Sequence, residues 1–151
     1  MSMMKKLFTL AAFVVAAAAY GQDSMEKTME ARAREMFRVI TLNDPEAWKK
    51  FVRENYSKTL IEKPMQARKD TNGGGASGSS SSTTPGTVES KAKMYEMLHQ
   101  DFKAGSITSL KVAGNEAKMV VTAFDLKGTF TLKYSKEKPW LIDGIGVEAG
   151  N

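Results

Sequence analysis

The last third of the chain, from Ser106 to Val147, reads as four short strands in a row, and these strands follow the helical segments instead of alternating with them. Glu116 to Phe124 sets Ala117, Met119, Val121 and Ala123 against Lys118, Val120, Thr122 and Phe124. Thr129 to Tyr134 does the same with Phe130, Leu132 and Tyr134 against Thr129, Thr131 and Lys133. A period of two is the pattern of a pleated strand with unlike faces. Helices first and an antiparallel sheet after them predict an α+β domain whose helices cover one face of the sheet. No motif in the chain fixes a biochemical activity.

The 151 residues begin with Lys5 and Lys6, an apolar run from Leu7 to Ala19, and small residues at the exit around Gly21. This is the pattern of a cleaved secretory signal, so residues 1–21 are expected to be removed and the product to be periplasmic or extracellular. The apolar run is shorter than the roughly 20 residues a membrane-spanning helix needs, and no membrane insertion is expected. With no cysteine, a disulfide framework, a thiolate metal site and a cysteine nucleophile are excluded. The remaining 151 − 21 = 130 residues suit a single domain with one core, residues 22–151. All 17 acidic residues stay while two of the 22 basic ones leave, so the formal charge becomes 20 − 17 = +3. That mild excess, without basic residues clustered among aromatics on one face, does not predict nucleic-acid binding.

Asp23 or Ser24 can cap a first helix in which Met25, Met29, Ala33, Met36, Phe37 and Ile40 recur at helical spacing. Arg32, Arg34, Arg38, Glu30 and Glu35 fall mostly on its other side and read as a solvated face. Asp44 and Pro45 start a second helix with Trp48, Phe51, Val52 and Tyr56 inward, and a further turn of helix fits Thr59 to Glu62. Residues 70–87 are almost all Gly, Ser, Thr and Ala, which predicts a flexible surface loop inside the domain. A third helix is expected from Ser90 to Phe102, with Met94, Tyr95, Leu98 and Phe102 inward and Gly105 ending it.

Within the sheet, the parity of Ser106 to Val112 slips between Ile107 and the Leu110/Val112 face, which predicts a bulge. Gly114-Asn115 is a two-residue hairpin signal, and Asp125 to Gly128 and Ser135 to Pro139 are expected to turn the chain into strands three and four. Strand four, Trp140 to Val147, places Leu141, Asp143, Ile145 and Val147 on one face and Trp140, Ile142, Gly144 and Gly146 on the other. The two glycines would let a helix or backbone approach closely.

The pattern resembles the nuclear-transport-factor-2-like fold, carried by Asn43-Asp44 before the second helix, Trp48, Phe51, Asn55-Tyr56-Ser57, the Ser106-Ile107 entry to the sheet, and Pro139, Leu141, Ile145, Val147 and Glu148. More narrowly it is similar to the small module of that shape found beside beta-lactamase-related serine hydrolases in secreted bacterial proteins. The resemblance implies helices packed in the hollow of a strongly curved four-stranded antiparallel sheet. It covers most of residues 22–151 and departs in the Gly/Ser insert and in the missing hydrolase domain, so no catalytic role carries over from that partner. Members of the broader fold range from enzymes such as ketosteroid isomerase to plain binding modules, and the fold does not choose among them.

Ser24-Met25-Glu26-Lys27 and Ser90-Lys91-Ala92-Lys93 fit S-x-x-K, but the S-D-N and K-T-G partners of that chemistry are absent and both serines open expected helices. The G-x-G-x-x-G match at Gly73 to Gly78 follows from composition alone, since no strand precedes it. His99 is the only histidine; it is either a ligand contact or a donor to helix-end carbonyls. Asp143 on the apolar side of strand four would be a candidate general base with a raised pKa; a bulge at Asp143-Gly144 would instead turn it to solvent. Tyr56, Tyr95 and Trp140 are candidate pocket residues that equally fit a core.

The expected function is an exported, non-enzymatic binding or scaffolding module for a small molecule or an exported protein partner, with no metal or other cofactor. The alternative is an isomerase or cyclase with Asp143 as base and Tyr56, Tyr95 or His99 as donors. The first is favoured if Asp143 lies outside or if Trp48, Phe51, Tyr95 and Phe102 fill the hollow. A homodimer through the sheet would show as exposed Phe124, Ile142 or Val120 on its outer face.

Overall fold

A computed structural model of the chain describes residues 24–65 and 84–150; the expected signal segment 1–21 and most of the Gly/Ser-rich stretch 70–87 lie outside the described residues. Helix α1 spans residues 24–41, followed by α2 (Pro45–Asn55), α3 (Lys58–Glu62) and α4 (Val88–Phe102). Strands β1 (Ser106–Ala113), β2 (Glu116–Ala123), β3 (Leu126–Tyr134) and β4 (Ile142–Gly150) follow and pair in the order β1-β2-β3-β4, every pair antiparallel. The architecture is therefore α+β, with helices packed on an open four-stranded sheet.

Local chemistry explains the helix ends. The Asp44 carboxylate accepts from the amides of Glu46 and Ala47 at 3.0 and 3.2 Å, and Pro45 occupies the first turn, where its missing N–H costs nothing. Ser57 caps α3 by accepting from Leu60 N. Helix α4 starts earlier than expected because Thr87, not Ser90, is its cap: Thr87 accepts from Ser90 N, and Ser90 Oγ accepts in return from Thr87 N. The serine of this S-x-x-K match is thus spent on a capping box. Lys91, buried on α4, donates to the carbonyl of Lys63 at 2.7 Å, and its burial, with Lys63 nearby, holds its pKa below the ordinary value.

The buried face of the sheet is carried by Ala117, Met119, Val121 and Ala123 of β2 and Phe130, Leu132 and Tyr134 of β3. Helices contribute Met29, Ala33, Met36, Val39 and Ile40 from α1, Trp48, Phe51 and Val52 from α2, and Tyr95, Leu98 and Phe102 from α4. Tyr134 hydroxyl donates to Met29 carbonyl at 2.7 Å, which ties β3 to α1. The parity slip read in β1 is a bulge: pairing with β2 shifts between Ile107 and Ser109.

The β2–β3 turn, the outward face given to Ile142 and the close approach at the β4 glycines need correction, while the bulge offered at Asp143-Gly144 is present. The β2–β3 turn is the two residues Phe124 and Asp125, because Ala123 already pairs with Leu126; Gly128 lies inside β3. Phe124 sits there at φ +54° and 89% exposed, a conformation usually left to glycine. On β4, Tyr134 pairs with Ile142 and Lys133 with Gly144, so Asp143 is an extra residue with no partner on β3. This bulge turns Asp143 to solvent and Ile142 into the core, where it is fully buried. Ile142 is thus unavailable to an outer sheet surface, and only Phe124 of the expected apolar trio is strongly exposed. Finally, nothing approaches the β4 glycines closely: a Cβ on Gly144 or Gly146 would meet only side chains of Lys133 or Thr131, at 3.5 and 3.9 Å. Gly128 is the close approach, with the Phe102 ring lying where its Cβ would be.

Candidate functional site

Of the five residues expected to form a site, only Tyr56 and Tyr95 bond each other. Tyr56 and Tyr95 are buried in the core, where their hydroxyls bond each other at 2.9 Å and Phe51 packs edge-on to both rings, its centroid 6.2 and 5.9 Å away. Each hydroxyl has its partner, and with Trp48, Phe51 and Phe102 also buried the space between helices and sheet is filled by side chains. Burial pushes both tyrosine pKa values up, and Tyr134 likewise.

A consequence follows for alkaline stability. The unfolded chain releases these protons as pH rises past about 10, the ordinary tyrosine value, while the folded protein retains them. The folded state then binds more protons, so stability is fully present below about pH 10 and falls above it, by up to about 1.4 kcal/mol per pH unit for each tyrosine. Denaturation midpoints measured from pH 8 to 12 should show this fall, and Tyr134→Phe should make it shallower.

His99 serves the end of a different helix. Its Nδ1 lies 2.8 Å from Ile40 carbonyl, which can only accept, so Nδ1 carries the proton and donates. The neighbouring carbonyls at the end of α1 are met in the same way: Arg38 by Thr41 hydroxyl, Val39 by Leu42 N and Trp48 Nε1, and Leu42 again by Trp48 Nε1. His99 and Trp48, whose rings lie 6.1 Å apart, therefore close the end of α1.

Asp143 accepts from Ser57 Oγ at 2.6 Å, while Ser57 Oγ accepts from Leu60 N and Ser57 N donates to Ile142 carbonyl. The exposed carboxylate thereby braces the start of α3 against β4, and it shares no hydrogen bond with either tyrosine or with His99. Trp140 stands in the β3–β4 loop at φ +51°, half-buried, with Lys138 Nζ 5.4 Å from its ring centroid.

The structure instead draws attention to Arg32. Its Nη1 donates to Asn55 Oδ1 at 2.6 Å and its Nη2 to Pro139 carbonyl at 2.9 Å, so one side chain links α1, α2 and the loop bearing Trp140. Its Nε is the one buried side-chain N or O without a partner among the described residues. Arg34 and Arg38 lie on the solvated face as expected, paired with Glu30 and Glu35, but Arg32 does not. The signal was its spacing: residue 32 follows Met29 by three and precedes Met36 by four, the rhythm of the buried stripe. An open groove of about 860 Å³ runs beside it, lined by Lys27, Thr28, Ala31, Arg32 and Glu35 with Asn55. Among the described residues no cluster of His, Asp and Glu suits a metal ion, and no helix is long and apolar enough to cross a membrane. Compared with known proteins, the chain matches no family model, no curated protein and no solved structure at a significant level.

Proposed function

We propose that the protein is an exported, non-enzymatic binding or scaffolding module of nuclear-transport-factor-2-like shape, engaging a small molecule or an exported protein partner through its outer surface. The observation that carries this reading is the filled interior: Trp48, Phe51, Tyr56, Tyr95 and Phe102 are all buried, and the two tyrosine hydroxyls satisfy each other. Isomerase or cyclase chemistry would need a carboxylate and a donor converging in a cavity. Asp143 is engaged by Ser57 and His99 by Ile40, on separate parts of the molecule. A homodimer through the sheet is the less favoured partner, because Lys111, Lys118, Lys127 and Lys133 are exposed on its strands. Against these four cations the same face of the strands carries only Glu116 and Glu148, so two copies placed face to face would oppose charges mostly of one sign.

The test is chemical-shift mapping of the ¹⁵N-labelled protein against a library of small soluble molecules. Perturbations are expected at surface positions, with the resonances of Tyr56 and Tyr95 unmoved. Shifts centred on those two tyrosines and abolished by Asp143→Asn would overturn the surface-binding reading, and turnover of the bound molecule would then establish the enzymatic alternative.

A further inference from the structure

Arg32 is permanently charged and half-buried, yet no carboxylate lies within ion-pair distance of it among the described residues. Its acceptors are a neutral amide and a backbone carbonyl, which occupy two of the five guanidinium donors. Lys27, the other cation of the groove wall, has no ion-pair partner among these residues either. Glu35 at the rim does not compensate them. Its carboxylate takes both hydrogen bonds of the Arg38 fork, at 2.8 and 2.6 Å, and Arg38 holds its pKa below the ordinary value.

A partly desolvated cation such as Arg32 is ordinarily paired, because an anion beside it recovers interaction that water no longer supplies. Asn55 is itself buried and anchored through its Nδ2 to Phe51 carbonyl, so the guanidinium is held on a rigid support before any ligand arrives. Ala31 is small and leaves space beside it, and the volume suits a small organic ligand. Two cations and one neutralised rim carboxylate match an anion of low charge.

We propose that the groove along α1 binds a carboxylate-bearing ligand, with Arg32 and Lys27 as its counter-ions. The proposal rests on the reading of the protein as a module that binds through its surface. The carboxylate belongs either to a free organic acid or to the C-terminus of a peptide chain, and the two sources are separable.

The experiment titrates the ¹⁵N-labelled protein, at constant ionic strength, with succinate, with the neutral control succinamide, and with the peptide Gly-Ser-Gly-Ser-Ala as free acid and as C-terminal amide. Saturable binding of succinate or of the free-acid peptide is expected, with shifts along residues 27–35 and at Asn55 and none from succinamide. Succinate binding with no difference between the peptides identifies a free acid; binding of the peptide acid but not its amide identifies a chain terminus. Arg32→Lys, which keeps the charge and loses the fork, should weaken binding about tenfold, and Lys27→Gln about threefold. Lys27 is exposed and makes no side-chain hydrogen bond or ion pair among the described residues, so its variant keeps the test decisive even if Arg32→Lys folds poorly. Absence of saturation up to about 20 mM, a weak limit near −2.3 kcal/mol, would overturn the carboxylate assignment alone. Unchanged affinity in Lys27→Gln would overturn it too. Shifts centred on Tyr56 and Tyr95 would overturn both the site and the surface-binding reading.

Discussion

Tyr95→Ala is expected to cost about 3–5 kcal/mol of folding stability, the largest loss among the substitutions considered. The side chain is fully buried in α4, its ring packs against Phe51, and its hydroxyl is the partner of Tyr56. Truncation leaves a cavity between helices and sheet and an unpaired hydroxyl beside it, and both penalties act together. Tyr95→Phe separates them. Removing only the hydroxyl should cost about 1–2 kcal/mol, because Tyr56 is left with a buried polar group and no partner. Tyr56→Phe should cost a similar amount, and the double variant less than the sum of the two, since no orphan remains. Urea denaturation of the four proteins measures this directly; strict additivity would show that the hydroxyls do not bond each other.

Gly128→Ala is the second large effect, about 2–3 kcal/mol of destabilisation. A Cβ there would stand 2.4 and 2.8 Å from two atoms of the Phe102 ring and 3.2 Å from Phe130. Those rings pack edge to face with centroids 5.5 Å apart, and both are buried, so neither can swing away freely. Phe102→Leu should partly rescue the variant by vacating that space, although alone it destabilises. Gly144→Ala and Gly146→Ala serve as controls on the outer face, where a Cβ meets only ordinary contacts; each should change stability by less than about 0.5 kcal/mol. Equal losses at Gly128 and Gly144 would contradict the packing of α4 on β3.

Periodicity and capping were readable in the chain because both are local. The stripes of α2 and α4, the alternation of β2 and β3, the Asp44 cap and the β1 bulge each depend on residues a few positions apart, and all stand where the spacing placed them. The candidate site was much less legible. Asp143 fell on the apolar face of an ideal strand, and of its two readings the structure bears out the bulge at Asp143-Gly144, which turns it to solvent. Arg32 read as part of a solvated face, since its acceptors Asn55 and Pro139 lie 23 and 107 residues away. His99 was judged by the end of its own helix, whereas it serves the end of α1, 59 residues earlier.

By itself, the order of residues determined the class of fold: side-chain periods of 3.6 and 2 and the chemistry of caps and turns act over one or two turns of chain, and they suffice to specify helices followed by a sheet. Tertiary structure alone decided what the polar and aromatic residues do. Which glycine admits a ring, which tyrosine hydroxyl finds another, and which arginine joins two helices to a distant loop beside a groove depend on register and on contacts between distant segments, and no local pattern encodes those distances.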